Sequence, residues 1–146
     1  MDPERSGLIA ADGLPNRYWF YARSANEQVA VVDEILLKCE CQCLITTNYA
    51  KEVTKEAEGF IAEESYKELK SVESGEKGAV IGCFDYQGKT AFYVVNNNLY
   101  DRQVITLNFE KKCTYSMLAV GCDKKQTSNV CELDLAAGAA MLIVIE

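Results

Sequence analysis

From Gly78 to the C-terminus, short apolar runs alternate with turn signals at a spacing of about 8–12 residues. That rhythm is the strongest constraint on the fold, because runs this short suit strands and are too brief for packed helices. Ala79–Asp85 and Thr90–Val95 flank Tyr86-Gln87-Gly88-Lys89, a hairpin loop with Gly88 available for positive φ. Asn96-Asn97-Asn98 stops the second run. Gln103–Phe109 sets Ile105, Leu107 and Phe109 on one face and Thr106 and Asn108 on the other. Cys113–Val120 follows an expected turn at Glu110-Lys111-Lys112. Val130–Leu135 again alternates, Gly138 breaks the chain, and Met141–Ile145 is apolar on both sides. Strands in this series imply an antiparallel sandwich or barrel.

Residues 12–37 carry a different period. Asp12-Gly13 marks a turn, and Pro15 suits a first helical position. Tyr18, Ala22, Ala25, Val29, Val32 and Leu36 then recur at three- and four-residue steps, the stripe of a long amphipathic helix that needs a sizeable partner. Residues 38–50 lose this period and suit one strand. Residues 51–78 carry 13 charged side chains. They read as a solvated connection with a short helix near Ala50–Ala57 and a strand near Tyr66–Val72. One long helix beside six or seven strands suggests two architectural pieces.

Composition narrows the chemistry. The 146 residues include no histidine, which removes Ser-His-Asp and Cys-His nucleophile systems and His-ligated zinc or haem. A net charge of −7 opposes binding to phosphate backbones and to anionic membrane surfaces. The longest apolar run, Leu135 to Ile145, is 11 residues, well short of the roughly 20 that span a bilayer. The opening MDPERSGLIAADG has no signal-peptide pattern, so a soluble, cytoplasmic protein is expected.

Seven cysteines are an odd number, and without a signal peptide they are expected to be reduced. Cys39, Cys41 and Cys43 would share one face of a regular strand. Structural zinc sites space their ligands two to four residues apart and need a second pair, which the chain lacks. The cysteines are therefore expected to fill buried positions, and no metal or cofactor is assigned. Asp33-Glu34 and Glu63-Glu64 are adjacent carboxylates, but neighbours on a helix or strand diverge, so they are expected to be solvated faces rather than acid/base dyads. Tyr18, Trp19, Phe20 and Tyr21 stand together, and Tyr86, Tyr93, Tyr100 and Tyr115 sit on or near strands. Packing is their expected role, although four consecutive aromatics on a helix cannot all face inward.

Two stretches carry a resemblance. Phe92–Asn96, Val104–Phe109, Tyr115, and the close Leu133-x-Leu135-x-Ala137-Gly138 followed by Leu142 and Val144 resemble the C-terminal β-sandwich of barrel glycoside hydrolases of the β-galactosidase-like kind. Ala137 stands where such sandwiches usually have Pro. Leu8 through Asp12-Gly13 to Tyr18 and Asn26-Glu27 is similar to the end of such a barrel, where a short strand and a turn lead into the last helix.

The resemblance implies a mainly β chain: an antiparallel β-sandwich of about 6–8 strands preceded by one long N-terminal amphipathic α-helix. Residues 1–37 would form the helical barrel-like end, 38–77 a partly irregular connection, and 78–146 the sandwich core. Family catalysis uses two barrel carboxylates, and no residue here matches either, so no catalytic, cofactor-binding or metal residue is carried over. The function expected is a non-catalytic part of a carbohydrate-active protein, supporting a barrel domain or an oligomer interface. The alternative is a stand-alone sandwich binding a glycan or a protein partner.

Overall fold

The computed structural model describes residues 7–10, 12–54 and 61–146. The chain is mainly β: α1 (Arg17–Ala30), α2 (Asp33–Leu36), β1 (Cys39–Thr46), α3 (Asn48–Thr54), then β2 (Leu69–Glu73), β3 (Ala79–Tyr86), β4 (Lys89–Asn96), β5 (Gln103–Ala119), β6 (Cys122–Leu135) and β7 (Ala140–Ile145). All strand pairings are antiparallel, in the order β1-β3-β4-β7-β5-β2, with β6 also on β5. The expected sandwich preceded by a helix is the observed architecture.

One sheet makes both layers because β5 crosses between them. Its N-terminal part pairs with β2 through Thr106–Phe109, and its C-terminal part pairs with β7 through Tyr115–Leu118. Between Asn108 and Cys113, β5 advances five residues while β6 advances two. The exposed Glu110, Lys111 and Lys112 occupy this irregularity. The expected turn there is thus a bulged bend within a single strand, which aims Phe109 and Tyr115 into the same core.

The core between the layers is built from one side of every strand: Ile45, Leu69, Ile81, Phe92, Val94, Ile105, Leu107, Tyr115, Leu133 and Ile143 are among its members. The Phe92, Phe109 and Tyr115 rings lie in a row with centroids 6.3 and 5.4 Å apart. Tyr115 donates its hydroxyl hydrogen to Val130 O at 3.0 Å, so its polar end is satisfied at the core boundary.

At one end of the sandwich the buried Asn96 side chain ties four segments together. Its Nδ2 donates to Asp101 O, Leu135 O and Ala136 O, and its Oδ1 accepts from Asn98 N and Gln103 Nε2. Gln103 Nε2 also donates to Gly78 O. The three-asparagine stop signal is therefore a hydrogen-bonded junction as well as a strand end.

Four sequence expectations shift. The single helix over 12–37 is two: α1 starts at Arg17, capped by Asn16 Oδ1 accepting from Tyr18 N and Trp19 N, and ends at Ala30. Pro15 instead bridges Ile9 in a small antiparallel turn closed around Asp12-Gly13. The strand expected at Val130 begins at Cys122, so the polar stretch after Gly121 is strand rather than loop. The short helix is α3, and the part of its expected span beyond Thr54 falls outside the described residues.

Candidate functional site

The chain's most unusual surface is α1. Asn16 anchors its start, capping the helix and donating from Nδ2 to Gly7 O at 2.7 Å. Beyond its cap, the helix holds to the sandwich mainly through its C-terminal continuation. Val32 is buried against Ala91, Leu142 and Val144, with Ile35, Leu36, Cys39, Phe84, Tyr86, Tyr93 and Leu118 packed around them. This cluster covers the outer face of β3, β4 and β7. The neighbouring Tyr93 hydroxyl is half-buried, and burial pushes its pKa up.

No residue of α1 itself is buried. The stripe predicted from periodicity splits at Ala30. Val32 finds the sheet, while Tyr18, Ala25 and Val29, joined by Tyr21, face solvent. Tyr18 is 40% exposed, Tyr21 66% and Val29 47%. Tyr18, Tyr21, Ala25 and Val29 fall at i, i+3, i+7 and i+11, so they form one continuous apolar line along the helix. Phe20 and Val31 extend the exposed apolar surface around the helix.

The other sides of α1 border two open grooves. Leu8, Trp19, Ala22, Arg23, Asn26, Glu27 and Ala30 line one of about 430 Å³. Arg23 lies over the Trp19 ring at 5.6 Å and pairs with Glu27 at 2.8 Å, so the indole face and the carboxylate are already engaged. Ser24, Glu27 and Gln28 face the ends of β5, β6 and β7 across a second groove of about 330 Å³. The Tyr18 and Tyr21 rings meet edge to face at 76°, which is not a flat stacking platform.

The remaining aromatics and carboxylates scatter. Tyr115 is in the core, Tyr86 and Tyr93 lie beneath the α2 segment, and Tyr100 is exposed on the bend between β4 and β5. Asp33 Oδ1 accepts from Glu34 N within the first turn of α2, and Glu64 reaches Lys51 at 3.1 Å. Neither adjacent pair forms a converging dyad.

The cysteine triplet does not share a face. Cys41 is opposite Phe84 and Cys43 opposite Cys83, so β1 advances two residues where β3 advances one. This bulge leaves Cys39 and Cys41 on the outer face and turns Cys43 into the core. Burial raises the Cys43 and Cys83 thiols; a hydrogen bond with Cys83 works against the rise at Cys43, and the Glu63 charge adds to it. Burial likewise pushes Cys131 up to about 11. All seven cysteines are free. Glu68 Oε2 is a buried oxygen without a hydrogen-bond partner among the described residues, and its charge adds to burial in raising the Cys113 thiol.

No helix is long and apolar enough to cross a membrane among the described residues. No family model, curated protein or solved structure matches the chain.

Proposed function

We propose that this chain is a non-catalytic β-sandwich that supports a larger carbohydrate-active protein by docking α1 against a neighbouring folded domain. The exposed line Tyr18, Tyr21, Ala25 and Val29 carries the reading. An amphipathic helix gains stability chiefly by burying its apolar face, and α1 leaves that face bare while only its continuation reaches the sheet. The resemblance of Leu8–Glu27 and of the strand series to the barrel end and C-terminal sandwich of glycoside hydrolases gives the partner its chemistry: a (β/α)-barrel whose last helical position α1 would fill. In this reading the chain holds the barrel and does no glycosidic chemistry of its own.

The glycan-binding alternative draws on the same aromatics. It has less support, because Arg23 covers Trp19 and the two tyrosines meet edge to face.

The test is calorimetry with an isolated barrel domain of a β-galactosidase-like glycosidase, freed of its own sandwich. Saturable binding that Val29→Asp abolishes supports the docking reading. Absence of binding, or binding that Val29→Asp leaves intact, overturns it. Heat on titrating oligosaccharides into the chain alone would favour the alternative.

A further inference from the structure

β6 pairs with β5 alone among the described residues, so no strand covers its other edge. Uncovered edges can pair with other chains unless something blunts them. Proline and glycine are absent from Cys122–Leu135, and its centre, Gln126-Thr127-Ser128-Asn129, is uncharged. Its first half carries Asp123, Lys124 and Lys125, and its second half Glu132 and Asp134.

The crossing geometry sets which of these charges share a face. In the first half, Lys124 and Gln126 are opposite the core residues Met117 and Tyr115. In the second, Leu133 and Cys131 are opposite the core residues Ile105 and Leu107. β6 therefore passes from one layer to the other, and its even-numbered residues stay on one face throughout. Lys124, Ser128 and Glu132 lie on that face, with the two charges four residues either side of Ser128. Lys125 is held by Glu146 at 3.4 Å and Asp134 by Arg102 at 3.3 Å. Lys124 and Glu132 have no ion-pair partner among the described residues.

We propose that two copies of this chain associate by antiparallel pairing of their β6 edges about a twofold axis at Ser128. Lys124 of each copy then meets Glu132 of the other, twice per dimer. A twofold interface must be self-complementary, and Lys124 and Glu132, equidistant from Ser128, meet that condition with each other across the axis. The net charge of −7 per copy opposes association, but that repulsion acts over distances longer than the ~8 Å screening length at physiological salt, whereas the contact pairs lie within it. The inference uses other side chains than α1 docking, which rests on Tyr18, Tyr21, Ala25 and Val29.

Sedimentation equilibrium of the whole chain, from micromolar to millimolar, tests it. A monomer–dimer equilibrium is expected. Lys124→Glu and Glu132→Lys should each weaken it at least about tenfold, because each places like charges in contact. The double variant Lys124→Glu/Glu132→Lys should restore dimerisation to within about threefold of the parent. Circular dichroism melts of all three verify folding, and the restored double variant shows that any loss came from the interface. A wild-type chain still monomeric at millimolar concentration overturns the proposal. So does dimerisation that the single reversals leave unchanged, including any that Val29→Asp abolishes instead.

Discussion

Cys43 sits directly across the β1–β3 ladder from Cys83, and both thiols are sealed in the sandwich core. Only a thiolate attacks disulfides and alkylating agents efficiently, and burial disfavours it at both positions. With native protein at neutral pH, the exposed Cys41 is expected to label first with iodoacetamide. Cys43, Cys83 and Cys131 should label only after unfolding. Peptide mass spectrometry of timed samples reads this directly, and rapid native labelling of Cys83 would contradict the buried register.

The same burial gives a pH dependence at the alkaline end. Cys131 is raised to about 11, above the ordinary thiol value of ~8.5. A group raised in the folded state contributes stability that is fully present below its unfolded pKa and is lost as pH rises through the folded one. Unfolding midpoints in urea should therefore fall between about pH 8.5 and about pH 11, and Cys131→Ala should make that fall shallower.

The acid limb has the opposite sign. Asp85 accepts from Gly88 N at 2.9 Å and faces Lys67 at 3.4 Å, and these hold its carboxyl below the usual range. Glu146 is held down by the Ser116 hydroxyl and by Lys125. Such groups contribute stability above their unfolded values, near ~4, that is lost as pH falls through the folded ones. Asp85→Asn keeps an acceptor for Gly88 but loses the charge, so its urea midpoint should depend less on pH below about pH 4.

Gly78 combines two requirements that no other residue meets. Its φ is +78°, and a Cβ there would lie 2.0 Å from Thr47 O. Gly78→Ala would have to displace backbone at the junction where Gln103 also bonds Gly78 O. A loss of roughly 3 kcal/mol or more is expected in urea unfolding. Gly88→Ala, with positive φ but open space, should cost only about 1 kcal/mol.

Asn96→Leu would remove the Asn96 bonds to Asp101 O, Leu135 O and Ala136 O and leave Gln103 Nε2 with Gly78 O alone. Each stranded buried group costs about 1–3 kcal/mol, less where water can enter. A destabilisation of about 3 kcal/mol is expected from the urea midpoint. Within the ~0.5 kcal/mol typical of a surface change, the junction would be dispensable.

What the sequence made legible follows from where water is. Tyr86–Lys89 was readable because Gly88 supplies the positive φ a tight hairpin needs, and Ile105, Leu107 and Phe109 were readable because one face of their strand is wet. Asp123–Asn129 gave no strand signal, because an edge strand beyond the core is wet on both faces and does not alternate. Glu110-Lys111-Lys112 looked like a turn because local charge cannot distinguish a chain reversal from a bulged bend held by β6. The Cys41–Cys43 bulge was hidden for a related reason: a slip in register depends on the partner strand, not on the residues that slip. For the candidate site, periodicity showed the apolar stripe but not which part of it the chain itself would cover.

That division of the stripe yields a contrast on a single helical segment. Val32 is 2% exposed and packs on Ala91, Leu142 and Val144, so Val32→Ala loses buried apolar surface and should cost about 1–2 kcal/mol. Tyr21 and Val29 touch no buried cluster, and Tyr21→Ser or Val29→Ser should leave stability within about 0.5 kcal/mol of the parent. If the exposed line exists to meet another domain, the same two variants should lower binding of a hydrophobic dye such as ANS to the isolated chain, while Val32→Ala should not lower it. Urea unfolding and dye titration separate the two roles. A stability loss at Val29 as large as that at Val32 would mean that α1 packs on the sandwich itself and has no bare face to offer a partner.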